Sequence, residues 1–207
     1  MKTKTKAIIL SILILLFLTI AFLVANANYF VLHLDIVIRN FFANHQSPSI
    51  SDLMLSITKV CNPYEGFAIF LIFGLFLFLK DKFYFYIFTV ATSLGILLPE
   101  TVKFFVQRIR PESIHLVEQG FSFPSDHATI ATVFLLSSIL LLAPNMKKSF
   151  SKTIFIWTTS IVFPLVAFSR IYLSVHWTSD VIAGIILGSI CFIFSEIICC
   201  HEKENML

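Results

Sequence analysis

The chain has 207 residues, of which 57% are hydrophobic and only 13% charged, with a mean hydropathy of +0.90, 24 Phe and a formal net charge of +3. Soluble domains carry about 25% charged residues, so this composition excludes an ordinary soluble enzyme and a disordered region. Cys61, Cys191, Cys199 and Cys200 show no framework or metal-like spacing, which excludes a disulfide scaffold. The chain reads as a single membrane-embedded domain over residues 1–207.

A helical span needs about 20 mostly apolar residues, because lipid offers backbone groups no hydrogen-bond partner. Six stretches approach that length: Ala7–Ala25, Tyr64–Leu79, Phe83–Pro99, Ala128–Ala143, Ile154–Phe168 and Val181–Cys199. Long regular alternation is absent, which argues against a β-barrel. The expected fold class is an all-α integral membrane protein, six transmembrane helices in one bundle. The first stretch, with its preceding lysines and Ala25-Asn26-Ala27, imitates a secretory signal. Its apolar run exceeds a signal's core, so it is read as an uncleaved helix.

After the first span, Phe30, Val31, Leu34, Val37, Ile38, Phe41 and Phe42 recur at helical spacing, with His33, Asp35, Arg39 and Asn40 largely opposite. That pattern predicts an amphipathic helix at the interface, broken at Gln46-Ser47-Pro48-Ser49. Orientation follows the basic residues. Lys2, Lys4, Lys6, Lys80, Lys82, Lys147, Lys148, Lys152 and Lys203 fall on one side; Arg39, Lys59, Lys103, Arg108, Arg110 and Arg170 fall on the other. Nine against six places both termini in the cytoplasm.

Ionisable residues in or beside spans are expensive and mark functional sites. They form three clusters here. Lys103 and Arg110 stand two helical turns apart at the end of the third span, sharing one face, before Pro111 stops the helix. Arg108 falls off that face and is read as merely interfacial, whereas Glu100 is placed to pair with Lys103. Pro124-Ser125-Asp126-His127 opens the fourth span, where a helix start offers N–H groups to an anion. Ser169-Arg170 ends the fifth, and His176 with Asp180 opens the sixth, close enough for the carboxylate to orient the imidazole. By parity all three clusters reach one membrane face, the non-cytoplasmic one. Three cations, two imidazoles and a helix N-terminus suit phosphate. The remaining histidines, His33, His45, His115 and His201, are read as packed or surface residues.

Lys103-x6-Arg110-Pro111, Pro124-Ser125-Asp126-His127 and Ser169-Arg170-x5-His176-x3-Asp180 resemble the three signature motifs of the type 2 phosphatidic acid phosphatase family, in order and separation. The resemblance runs from about the second span to the sixth, with a core at about 50–200. It implies a six-helix core, metal-independent phosphate hydrolysis and His176 as the nucleophile. Catalysis would then rest on His176, His127 and Asp180, phosphate binding on Lys103, Arg110, Ser125 and Arg170, with Asp126 and Ser169 as modulators. No metal, cofactor or nucleic acid is expected; the partners are a lipid phosphate and the bilayer. The family's usual Gly is Asp126 here, which is similar to a bacterial subset that includes undecaprenyl-diphosphatases.

The function expected on these grounds is hydrolysis of a lipid phosphate or diphosphate, undecaprenyl diphosphate being favoured, at the outer face of a bacterial inner membrane. Phosphatidylglycerophosphate, phosphatidate and a lipid A phosphate are the alternative substrates. A non-catalytic lipid-binding or transport protein is the alternative of another class. The connection Glu112–Phe123 carries no readable code for the head group.

Overall fold

A computed structural model describes residues 3–61, 63–147 and 150–205. Lys2 and Lys148 of the orientation count lie outside the described residues. Eight α-helices run α1 Thr3–Ala25, α2 Tyr29–Asn44, α3 Pro48–Thr58, α4 Pro63–Lys80, α5 Lys82–Val106, α6 Asp126–Leu136, α7 Phe150–Tyr172 and α8 Thr178–Asn205. A π-type stretch, Ser137–Leu142, carries α6 onward, and the described residues contain no strand. The protein is an all-helical integral membrane protein. Helices α1, α5, α6 with its continuation, α7 and α8 are long and apolar enough to cross a bilayer. The pair Pro48–Cys61 and Gly66–Lys80, bent by 52°, is long and apolar enough for a sixth crossing if its two halves form one broken span rather than a re-entrant loop. Helix α3 was not anticipated from the sequence; Pro48 sits at its N-terminus, where a missing N–H costs nothing.

Aromatic packing ties the bundle together. Phe88 of α5 meets Phe134 of α6 edge to face at 5.1 Å, and Phe134 stacks on Phe163 of α7 at 5.6 Å. Helix α1 lies along α8, where Lys6 pairs with Glu196 at 2.6 Å. The tightest approach joins α6 to α8 through Gly184 and Gly188, four residues apart on one face of α8. A Cβ on Gly188 would stand 2.4 Å from the carbonyl oxygen of Thr129, and one on Gly184 2.6 Å from that of Ser125. Lipid offers no hydrophobic drive between helices, so small residues that let backbones touch hold such pairs. This contact sets where Ser125, at the head of α6, lies against Asp180 in the first turn of α8. Gly188→Ala is therefore expected to lower the melting temperature in detergent, by overpacking of about 1–3 kcal/mol. Gly74→Ala, whose Cβ would meet ring carbons of Phe85 at 3.4 Å and Phe88 at 3.7 Å, both ordinary contacts, should cost far less. Equal melting shifts would refute this account of the α6–α8 contact.

Helix α2 forms over the stretch predicted to be amphipathic. Its apolar residues Phe30, Leu34, Val37 and Phe41 are exposed on the outside of the bundle, where lipid suits them. The residue it buries is Asp35, 2% exposed. Of its polar residues Asp35 and Arg39 turn toward protein while His33 and Asn40 stay exposed, and Arg39 donates to the Glu112 carbonyl at 2.9 Å.

Candidate active site

Helix α5 ends earlier than the sequence suggests. Gln107 takes a left-handed conformation (φ 49°) and its N–H closes on the Lys103 carbonyl at 3.0 Å, so the chain leaves the helix four residues before Pro111. Lys103 and Arg110 therefore do not share a helical face; Arg110 belongs to the loop 107–125. Lys103 is largely buried at the helix end, paired with Glu100 at 2.9 Å and with Asp126. The expected Glu100 contact is present.

Ser125 caps α6, its hydroxyl accepting from Ala128 N at 3.4 Å, while its own N–H donates to the Asp180 carbonyl at 3.1 Å. Asp126 follows in the first turn, and its side chain turns to Lys103 rather than capping the helix. His127 comes next, half-buried, with Arg170, Glu118, His176 and Arg110 near enough to act on it electrostatically.

His176 lies two residues ahead of α8, in the tight turn 173–177 rather than on the helix with Asp180, and is 1% exposed. Its Nδ1 stands 2.8 Å from the Ser122 carbonyl and 3.5 Å from Oδ2 of Asp180, and Nε2 stands 3.0 Å from a guanidinium nitrogen of Arg110. A guanidinium has no lone pair and a carbonyl no proton. Nδ1 must therefore carry the hydrogen, and Nε2 must present its lone pair. Burial pushes the imidazole below its ordinary value, Asp180's hydrogen bond opposes that, and the charge of Arg170 adds to it. The neutral ring is the favoured form.

Arg170 is fully buried near the end of α7. It donates to Thr58 Oγ1 at 2.7 Å and pairs with Glu118. The other oxygen of Glu118 meets Arg110 at 3.0 Å. One carboxylate from the loop thus bridges the two arginines beside His176. Burial alone would raise the Glu118 carboxyl, but the charge and hydrogen bond of Arg170 hold it down at about 2. It stays ionised at any working pH. Ser169, by contrast, spends its hydroxyl on the Val166 carbonyl of its own helix at 2.7 Å and does not reach the cluster.

A cavity of ≈ 460 Å³ opens beside this cluster. Asp126 and His127 line it at the head of α6, Ile130 and Phe134 one and two turns deeper, and Phe67, Phe70 and Ile96 complete an apolar wall from α4 and α5. The arrangement offers an anion-binding end next to an apolar recess. Among the described residues no group of three or more His, Cys, Asp or Glu side chains is arranged to hold a metal ion.

Residues 82–203, more than half of the chain, match the family model of the PAP2 superfamily. The chain belongs to that superfamily. It is 36% identical over 100 residues to phosphatidylglycerophosphatase B of Bacillus subtilis (strain 168), covering 46% of this chain and 48% of that one. It is 32% identical over 108 residues to an undecaprenyl-diphosphatase of Sulfolobus acidocaldarius, covering 48% of each. These matches span about half the length of the curated relatives. The fold is similar, with a TM-score of 0.80 and 25% identity, to the crystal structure of a transmembrane PAP2-type phosphatidylglycerolphosphate phosphatase from Bacillus subtilis, covering 96% of this chain and 97% of that one.

Three residues of this PAP2 cluster escaped the sequence reading. Glu118 sat in a loop without pattern, Asp35 was counted with the polar face of an interfacial helix, and Arg108 was dismissed as interfacial. Arg108 is largely buried and bonded to Asp180 and Asp35, each at 2.6 Å. A usable signal existed for the last two: an acid and an arginine beside spans are both too expensive to leave unpaired.

Proposed function

We propose that this protein is a lipid phosphatase that hydrolyses a lipid phosphate or diphosphate at the non-cytoplasmic face of a bacterial inner membrane, with both termini in the cytoplasm. The observation that carries the reading is the forced tautomer of His176, whose Nε2 lone pair accepts from Arg110 beside the Glu118 carboxylate that Arg110 and Arg170 share. In this reading Nε2 attacks phosphorus, the bond to the lipid oxygen breaks, and a phosphohistidine forms with Nδ1–H on the Ser122 carbonyl and the Asp180 carboxylate facing it. Arg110, Arg170 and Lys103, with the head of α6 at Ser125, take the phosphoryl oxygens in place of Glu118 and Asp126. His127 gives the leaving oxygen its proton and later takes one from the attacking water. The apolar recess beside His127 receives the lipid chain. The fixed cations carry the charge that a metal would otherwise neutralise.

The test is phosphate release by purified protein in detergent with EDTA present, across undecaprenyl diphosphate, phosphatidylglycerophosphate, phosphatidate and a lipid A phosphate. Release that requires added metal, or none from any substrate, overturns the reading. The rival, a non-catalytic lipid-binding or transport protein, predicts binding of the same lipids with no turnover.

Undecaprenyl diphosphate is the substrate we favour, on Asp126 standing where the family's Gly would be and holding Lys103. Asp126→Gly should release Lys103 toward the bound phosphate, keep monophosphate hydrolysis and lower the preference for diphosphate a few-fold, about the effect of 1 kcal/mol. The ratio of kcat/KM for a prenyl diphosphate and its monophosphate reads this directly; an unchanged ratio removes Asp126 from specificity. Sidedness is tested with Lys82→Cys and Val117→Cys in a background lacking the four native cysteines. An impermeant thiol reagent added outside intact cells should label position 117 and spare position 82. Labelling of both from one side refutes the orientation.

A further inference from the structure

Behind His176 the chain builds a second, buried charge network. Asp180 gives Oδ1 to Arg108 at 2.6 Å, while Oδ2 accepts from Trp177 N at 2.9 Å and faces His176 Nδ1. The other arm of the Arg108 guanidinium donates to Oδ2 of Asp35 at 2.6 Å. Asp35 also accepts from Ser179 N at 2.9 Å and from the Ser179 hydroxyl at 2.6 Å. Side-chain exposure is 9% for Arg108, 3% for Asp35 and 0% for Asp180. One cation therefore serves two buried carboxylates, and the group keeps one net negative charge.

That surplus matters for the chemistry proposed above, on which this inference rests. When Nε2 bonds to phosphorus and Nδ1 keeps its hydrogen, the ring becomes cationic, so a negative charge facing Nδ1 stabilises the phosphohistidine and the step that forms it. A lone Arg108 would tend to pair with Asp180 by both arms, as guanidinium and carboxylate do when geometry permits. It would then cancel the charge and compete for the oxygen that faces His176. We propose that Asp35, carried on the interfacial helix α2, is a positioning residue for the nucleophile: it holds one arm of Arg108 so that the guanidinium grips only Oδ1 of Asp180 and leaves Oδ2, with the net negative charge, facing His176.

The prediction separates charge from simple docking of α2. Asp35→Asn keeps the shape and removes the charge; kcat for dioctanoyl phosphatidate and farnesyl diphosphate should fall at least tenfold, with KM within twofold. Adding Arg108→Gln removes the cation as well and returns the surplus negative charge to Asp180. The double variant should therefore recover at least threefold in kcat over Asp35→Asn alone. Arg39→Gln cuts the other polar tie of α2, to the Glu112 carbonyl, and should leave kcat within twofold of wild type. Losses that add in the double variant, or an Arg39→Gln loss equal to that of Asp35→Asn, overturn the proposal. If Asp35→Asn cannot be purified folded, the double variant carries the test alone: kcat within tenfold of wild type supports the proposal, and a larger loss overturns it. His176→Ala runs alongside. If it keeps wild-type turnover, the phosphohistidine reading fails and this proposal fails with it; if it is inactive while Asp35→Asn is unimpaired, only the role of Asp35 fails.

Discussion

His176→Ala is expected to lower phosphate release by on the order of 10⁴-fold or more while leaving the protein folded, because a nucleophile and its partners act as a unit. The arginines beside it cannot take over. Arg110 and Arg170 have no lone pair to offer. Alanine removes a buried ring that also holds the Ser122 carbonyl at 2.8 Å, so a melting curve in detergent must accompany the assay. The pH dependence adds a second check. Burial lowers the His176 pKa from 6.5, opposed by the hydrogen bond that Asp180 accepts from the ring and aided by the charge of Arg170. The ring is then neutral at pH 6.5, and its protonation limits kcat/KM only as pH falls below that value. An acid limb centred above 6.5 would contradict the geometry, and undiminished turnover in His176→Ala would end the mechanism.

His127→Gln should give the next largest effect, a loss of about 10²–10⁴-fold on lipid substrates, the usual scale for a general acid and base. The loss should depend on the leaving group. An alkoxide needs a proton as it departs, whereas a nitrophenolate does not. With a nitrophenyl phosphate, formation of the phosphoenzyme should be nearly unimpaired in His127→Gln, and its hydrolysis slow because the base is gone. Rapid quench should then show a burst followed by accumulation of acid-labile, base-stable phosphate on the protein. An equal loss with both leaving groups, and no burst, would assign His127 to binding instead.

The two predictions draw on different levels of information. Helical class, the approximate spans and the gathering of three polar clusters on one membrane face follow from the chain alone, because lipid punishes unpaired charge and unsatisfied backbone so heavily that the pattern is local. The amphipathic character of residues 29–44 was legible for the same reason, and so was the Glu100–Lys103 pair, which needs only helix geometry. What local rules could not supply was the direction of individual side chains once elements meet. Periodicity could not tell that Gln107 would turn left-handed and release Arg110 from its helix, since that depends on the loop 107–125 closing over His176. Nor could it tell that the polar face of α2 would bury Asp35 against Arg108, because partners 73 residues apart in sequence carry no spacing signal. Glu118 is the plainest case. A lone glutamate in an unpatterned loop becomes the bridge between Arg110 and Arg170 only where the loop 107–125 meets the end of α7. Sequence by itself determined which residue types had to be buried in this membrane; the tertiary structure alone decided which charges would be paired with which, because electrostatic partners are chosen by distance in space.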